Sequence, residues 1–107
     1  MEIFAESQKL MKILADDRKI LKEFGKDRLP KIKQRLLEFE TARTLSDLSY
    51  LPPTRLHQLN GSRESQFAVD IGANWRITFY GYDENDEQTV DKEEIVAISI
   101  IAIEDYH

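Results

Sequence analysis

The hydrophobic period of this chain changes once, at Pro52-Pro53, and that change limits the folds open to it. Before the double proline apolar residues recur at helical spacing, and after it they alternate. From Ser7 to Phe24 the residues Leu10, Ile13, Leu14, Ile20, Leu21 and Phe24 form one stripe, which predicts a helix that Gly25 stops. Asp17 interrupts the stripe where another apolar residue is expected. Asp27 is placed to cap a second helix, with Pro30 tolerated in its first turn and Leu29, Ile32, Leu36 and Phe39 on its buried face. The tight turn between them predicts an antiparallel pair. Thr44-Leu45-Ser46-Asp47 reads as a capping box for a short third helical turn, which the two prolines end.

Beyond the prolines, Phe67, Val69 and Ile71 alternate with Ala68 and Asp70, and Trp75, Ile77 and Phe79 alternate with Arg76, Thr78 and Tyr80. Both segments predict half-buried strands joined by a hairpin at Gly72-Ala73-Asn74, with a preceding strand over Arg55 to Leu59 and a short edge strand over Met1 to Phe4. Ile95 to Ile103 is apolar on both faces, as a central strand is, whereas residues 83–94 are acidic, lack an apolar pattern and predict an exposed loop. Helices first and strands afterwards define an α+β class: an N-terminal helical pair packed on one face of a mostly antiparallel sheet. At 107 residues a single domain over 1–107 is expected, with a strand and helices in 1–50 and the sheet in 51–107.

Composition narrows the chemistry. The absence of cysteine excludes disulfides and thiolate metal sites, and two isolated histidines are poor material for zinc, so neither metal nor cofactor is expected. No apolar run approaches the ~20 residues of a membrane helix, and no basic segment leads into an apolar one at the start, so a cytoplasmic protein is expected. Net charge is −5, unevenly spread: residues 1–43 carry eleven Lys/Arg against eight Asp/Glu, and residues 83–107 carry one Lys against nine acids. Such a balance argues against nucleic-acid affinity won by charge alone.

Period-2 geometry singles out Arg76. With Trp75, Ile77 and Phe79 in the core, Arg76 projects from the opposite, uncovered face together with Thr78 and Tyr80. Its planar, permanently charged fork suits a phosphate, and the competing role is a salt bridge to Asp70 on the neighbouring strand. His57 and His107 bring imidazoles that exchange protons near neutrality, although a strand histidine bonded to backbone is the plainer role for His57. Tyr106 and His107 are expected to emerge at one end of the sheet.

Taken in order, Leu51-Pro-Pro-Thr-Arg-Leu-His-Gln-Leu-Asn-Gly-Ser-Arg, then Asn74-Trp-Arg-Ile-Thr-Phe, then the closing Ile103-Glu-Asp-Tyr-His, resemble the HigB-like branch of the RelE/ParE toxin superfamily. The resemblance implies a small microbial-ribonuclease-like sheet and a bacterial toxin of a type II toxin–antitoxin pair, a ribosome-dependent messenger-RNA endoribonuclease. It implies His57, Arg76, Tyr106 and His107 as catalytic residues, with Arg55, Asn60 and Arg63 binding RNA. Asn60 stands where many relatives carry lysine. The implied partners are a cognate helix-turn-helix, HigA-like antitoxin and the ribosome with its bound messenger RNA. A non-cleaving antitoxin-binding module and a gyrase-targeting toxin are the alternatives.

Overall fold

In the computed structural model the described residues are 1–106, and His107 lies outside them. The order is β1 (Glu2–Ala5), α1 (Gln8–Leu14), α2 (Asp17–Phe24), α3 (Leu29–Thr41), a 3-10 turn (Leu45–Asp47), β2 (His57–Gln58), a second 3-10 turn (Gly61–Arg63), β3 (Gln66–Asp70), β4 (Trp75–Tyr82) and β5 (Ala97–Asp105). The strands form one sheet in the order β1-β5-β4-β3-β2. Every neighbouring pair is antiparallel except β1, which runs parallel to β5 at the edge. This is the α+β arrangement that the change of period predicts.

The helical half departs from expectation at its ends. The helix expected over Ser7 to Phe24 divides at Ala15-Asp16, because Asp16 turns its carboxylate onto the amide of Arg18 at 2.9 Å and caps α2. Ser7 does the same for α1, accepting from the amide of Leu10 at 3.1 Å. The apolar stripe survives the break, since Ile13 and Ile20 are both buried. Asp17, exposed where it interrupts the stripe, pairs with Lys33 of α3 at 2.6 Å. Asp27 does not cap α3. The helix starts one residue later than expected, with Arg28 at the cap position; its guanidinium donates to the Phe24 carbonyl at 3.0 Å and lies 4.0 Å from the centre of the Trp75 ring. Thr44 makes no backbone cap either: its hydroxyl meets that of Ser46, and Asp47 accepts from the amide of Arg43 at 2.9 Å.

Alternation sends Phe67 and Val69 of β3, Ile77 and Phe79 of β4, and Ile98 and Ile100 of β5 into one core with Ile32 and Phe39 of α3 and Ile20 of α2. The Phe79 ring sits at its centre, edge-on to Phe39 with centroids 5.0 Å apart and stacked with Phe67 at 5.9 Å. Arg35, buried on α3, reaches out of this core and is satisfied: Nε donates to the Asp70 carbonyl at 2.7 Å and Nη1 to Glu38 at 3.1 Å. Residues 83–94 are mostly exposed, as expected, yet they are tied down. Asp83 accepts from the amides of Asn85 and Glu87 at 2.9 and 3.0 Å, and the Lys92 carbonyl accepts from Ser46 at 3.2 Å. Beyond this loop, Ile95 packs directly on the β4 backbone at Gly81, where a Cβ would fall 2.3 Å from Ile95 Cδ1.

One irregularity governs the open face. Between Thr78 and Phe79 the register shifts, so that Thr78 faces Ala102 while Phe79 faces Ile100, leaving Ile101 as an extra residue in β5. Core-facing positions in β5 are therefore 98 and 100 before the bulge and 103 after it.

Candidate nucleic-acid interface

Two cross-strand rows build the site on the face away from the helices. One runs His57, Ala68, Thr78, Ala102 and the next Asp70, Arg76, Glu104. Ala68 and Thr78 have no accessible surface, so the long side chains around them close over a face that the alternation alone leaves bare.

Arg76 sits where period-2 reasoning puts it, but its partner is not Asp70. Its Nε and Nη2 donate to Glu104 Oε2 at 3.2 and 3.0 Å, and its guanidinium lies 4.8 Å from the centre of the Tyr106 ring. Asp70, directly opposite on β3, is taken instead by Arg55, which donates from Nε and Nη2 at 2.6 and 3.1 Å. Arg55 can reach it because residue 55 turns into the left-handed region at φ +48°, a conformation with a steric cost outside glycine. The expected strand over Arg55 to Leu59 is thereby cut to His57–Gln58. Arg63, at the end of the second 3-10 turn, grips the same carboxylate as Arg76: Nη2 to Oε1 at 2.9 Å and Nη1 to Oε2 at 3.1 Å, with Nε on Gln66 at 3.1 Å.

Tyr106 joins both halves, its hydroxyl 3.4 Å from Asp70 Oδ1 and its ring under Arg76. His57 is half-buried, and its Nδ1 donates to the Arg55 carbonyl at 2.8 Å, which leaves Nε2 as the lone-pair nitrogen of the neutral ring. The backbone bond foreseen as its plainer role is thus present, and it also fixes the tautomer. Asn60 is exposed at the start of the 3-10 turn and contributes its carbonyl, accepting from the amide of Arg63 at 3.3 Å. His107 lies outside the described residues. Among the described residues, no three His, Cys, Asp or Glu are grouped to hold a metal ion, and no helix is long and apolar enough to cross a membrane.

Sequence reasoning assigned no role to Glu104. Counting by twos from Ile98 and Ile100 puts residue 104 on the core side; the bulge at Ile101 reverses that and sets it opposite Arg76. The readable signal was the acid itself, since a carboxylate ending an apolar strand needs a cation nearby. Hydrogen bonds from Arg63, and then from Arg76, hold the Glu104 carboxyl below the usual glutamate value, against a partial burial that acts the other way. Hydrogen bonding to Glu104 in turn raises Arg63, and to Asp70 raises Arg55.

A lowered carboxyl gives stability that is complete above the unfolded glutamate value and lost as pH falls through the lower folded value. The urea midpoint is therefore expected to drop on acidification below the ordinary glutamate range, and less steeply in Glu104→Gln. Equal slopes in the two proteins would remove Glu104 from the acid response.

The fold has a counterpart among solved structures. Along its full length the chain superposes on the full length of a YoeB/ParE toxin from Agrobacterium tumefaciens, with a TM-score of 0.62 at 9% identity, and so has the fold of RelE/ParE superfamily toxins. No family model matches the sequence. The sequence is similar to Endoribonuclease HigB of Proteus vulgaris, 39% identical over 49 residues, which are 46% of this chain. The chain spans about half the length of that curated relative, 52% of it.

Proposed function

We propose that this chain is the toxin of a type II toxin–antitoxin system that cleaves messenger RNA on the ribosome. The observation carrying this reading is that Arg63, Arg76 and Tyr106 meet on one sheet face, with His57 one row away on the same face of a RelE/ParE-type fold. Similarity to Endoribonuclease HigB supports the choice of RNA as substrate. In the proposed reaction the ribose 2′-hydroxyl loses its proton and its oxygen attacks the adjacent phosphorus. The bond to the 5′-oxygen breaks, leaving a cyclic phosphate, and the departing oxygen takes up a proton. His57, through Nε2, and His107 are the proton-transfer pair; Arg76 offsets charge on the phosphate. Arg63 and Arg55 hold the RNA backbone beside Asn60, and Tyr106 stacks on a base or bonds the phosphate.

The ribosome orients the strand, so a chain of net charge −5 needs only local positive charge. The cluster supplies it: three guanidiniums against two carboxylates, Asp70 and Glu104, leave one positive charge. Primer extension on transcripts after induction in bacteria is expected to show cuts inside translated codons, suppressed by a co-expressed helix-turn-helix antitoxin. The same carboxylates favour a second reading, an antitoxin-binding module without cleavage. Antitoxin binding with intact transcripts would select it.

A further inference from the structure

We propose that Glu104 is a placeholder for an RNA phosphate: in the free protein its carboxylate fills the guanidinium forks of Arg63 and Arg76, and a phosphodiester binds by displacing it. The inference rests on the reading of this face as an RNA site. Three observations carry it. First, one carboxylate accepts four guanidinium hydrogen bonds, two from each arginine, at 2.9 to 3.2 Å. These use the Nη1–Nη2 edge of Arg63 and the Nε–Nη2 edge of Arg76, the paired-donor edges that a phosphate also takes. Two arginines converging on one anion define a single phosphate position, with Gln66 on the far edge of Arg63 and Tyr106 against the face of Arg76.

Second, the exchange is cheap in structure. The backbone of residue 104 is held by pairing with Arg76, so the carboxylate leaves by side-chain rotation, with the strand intact. Glu104 is about a quarter exposed, at 27%, and Arg63 more so at 36%, which gives the rotation an exit to solvent. Third, the charges favour an incoming anion more strongly once Glu104 withdraws. With Glu104 in place the two arginines share one negative charge; a phosphodiester takes over that neutralisation and lets the carboxylate regain water.

The test uses the full chain and a labelled hexanucleotide with every 2′-hydroxyl methylated, which keeps its phosphodiesters but has no nucleophile. Its dissociation constant, read by fluorescence anisotropy at fixed salt, is expected to fall about tenfold in Glu104→Gln, because no charged competitor remains in the forks. Equal or weaker binding by Glu104→Gln, or no binding by either protein, overturns the proposal. Independently of any variant, the carboxyl carbon resonance of Glu104 in the unmodified protein is expected to move toward that of a solvated glutamate as the hexanucleotide is added. Saturation with that resonance unmoved also overturns it. The functional reading fails separately: uncut transcripts on induction, alongside displacement of Glu104 by the hexanucleotide, refute cleavage and leave the phosphate site standing.

Discussion

Arg76→Ala is expected to abolish growth arrest on induction and to reduce transcript cuts by roughly 10²–10³-fold, the usual consequence of removing a charged donor from a developing oxyanion. The magnitude follows from how the residue is held. Arg76 is mostly covered, its side chain 15% exposed, and the Tyr106 ring lies against its face. Such a guanidinium needs little reorganisation when charge builds on a phosphate, so its loss falls on the transition state. Arg76→Lys is expected to recover only part of the activity, because a point charge lacks the fork. Each variant is to be compared with the parent by thermal denaturation, since Glu104 keeps Arg63 as a partner in both. Undiminished cutting by a folded Arg76→Ala protein would exclude the arginine from the chemistry.

Phe79→Ala is expected to cost about 3–5 kcal/mol in urea denaturation, a large share of the roughly 5–15 kcal/mol that holds a domain together. Phe79 has no exposed surface, lies between the rings of Phe39 and Phe67, and is the place where α3 meets the middle of the sheet. Its neighbours belong to a helix and to a paired strand, so the void has little means of closing. Phe79→Leu keeps much of the volume and is expected to lose less than half as much. A loss below about 1 kcal/mol for the alanine variant would show that the core collapses around the gap.

Which features were legible follows from which ones are periodic. Phe67 to Ile71 and Trp75 to Tyr80 obey a two-residue repeat without interruption, so their faces, their hairpin and the outward direction of Arg76 were all readable. The helix break at Asp16 was hidden because the apolar stripe runs through it, and only the capping preference of an aspartate could have exposed it. Asp27 failed as a cap for the related reason that a cap is chosen by local backbone geometry, which several neighbouring residues satisfy on paper. At the site, Arg55, Arg63, Arg76 and Tyr106 do come together, yet the sequence resemblance gave no hint that Asp70 and Glu104 already occupy those arginines. Ion pairs between residues 41 and 28 positions apart, as Glu104 makes with Arg63 and Arg76, depend on strand register, which a single sequence does not print.

The single extra residue at Ile101 decides which chemistry each side of β5 presents. Drawn into the ladder opposite Thr78, it would slip the end of the strand by half a pleat, driving an acid toward the aromatic interior and an isoleucine out among the arginines. A frame this sensitive makes the last turn of the sheet a digital element: whether that one residue bulges out or joins the ladder exchanges charge for grease, whereas substitutions elsewhere in the strand only adjust the fit.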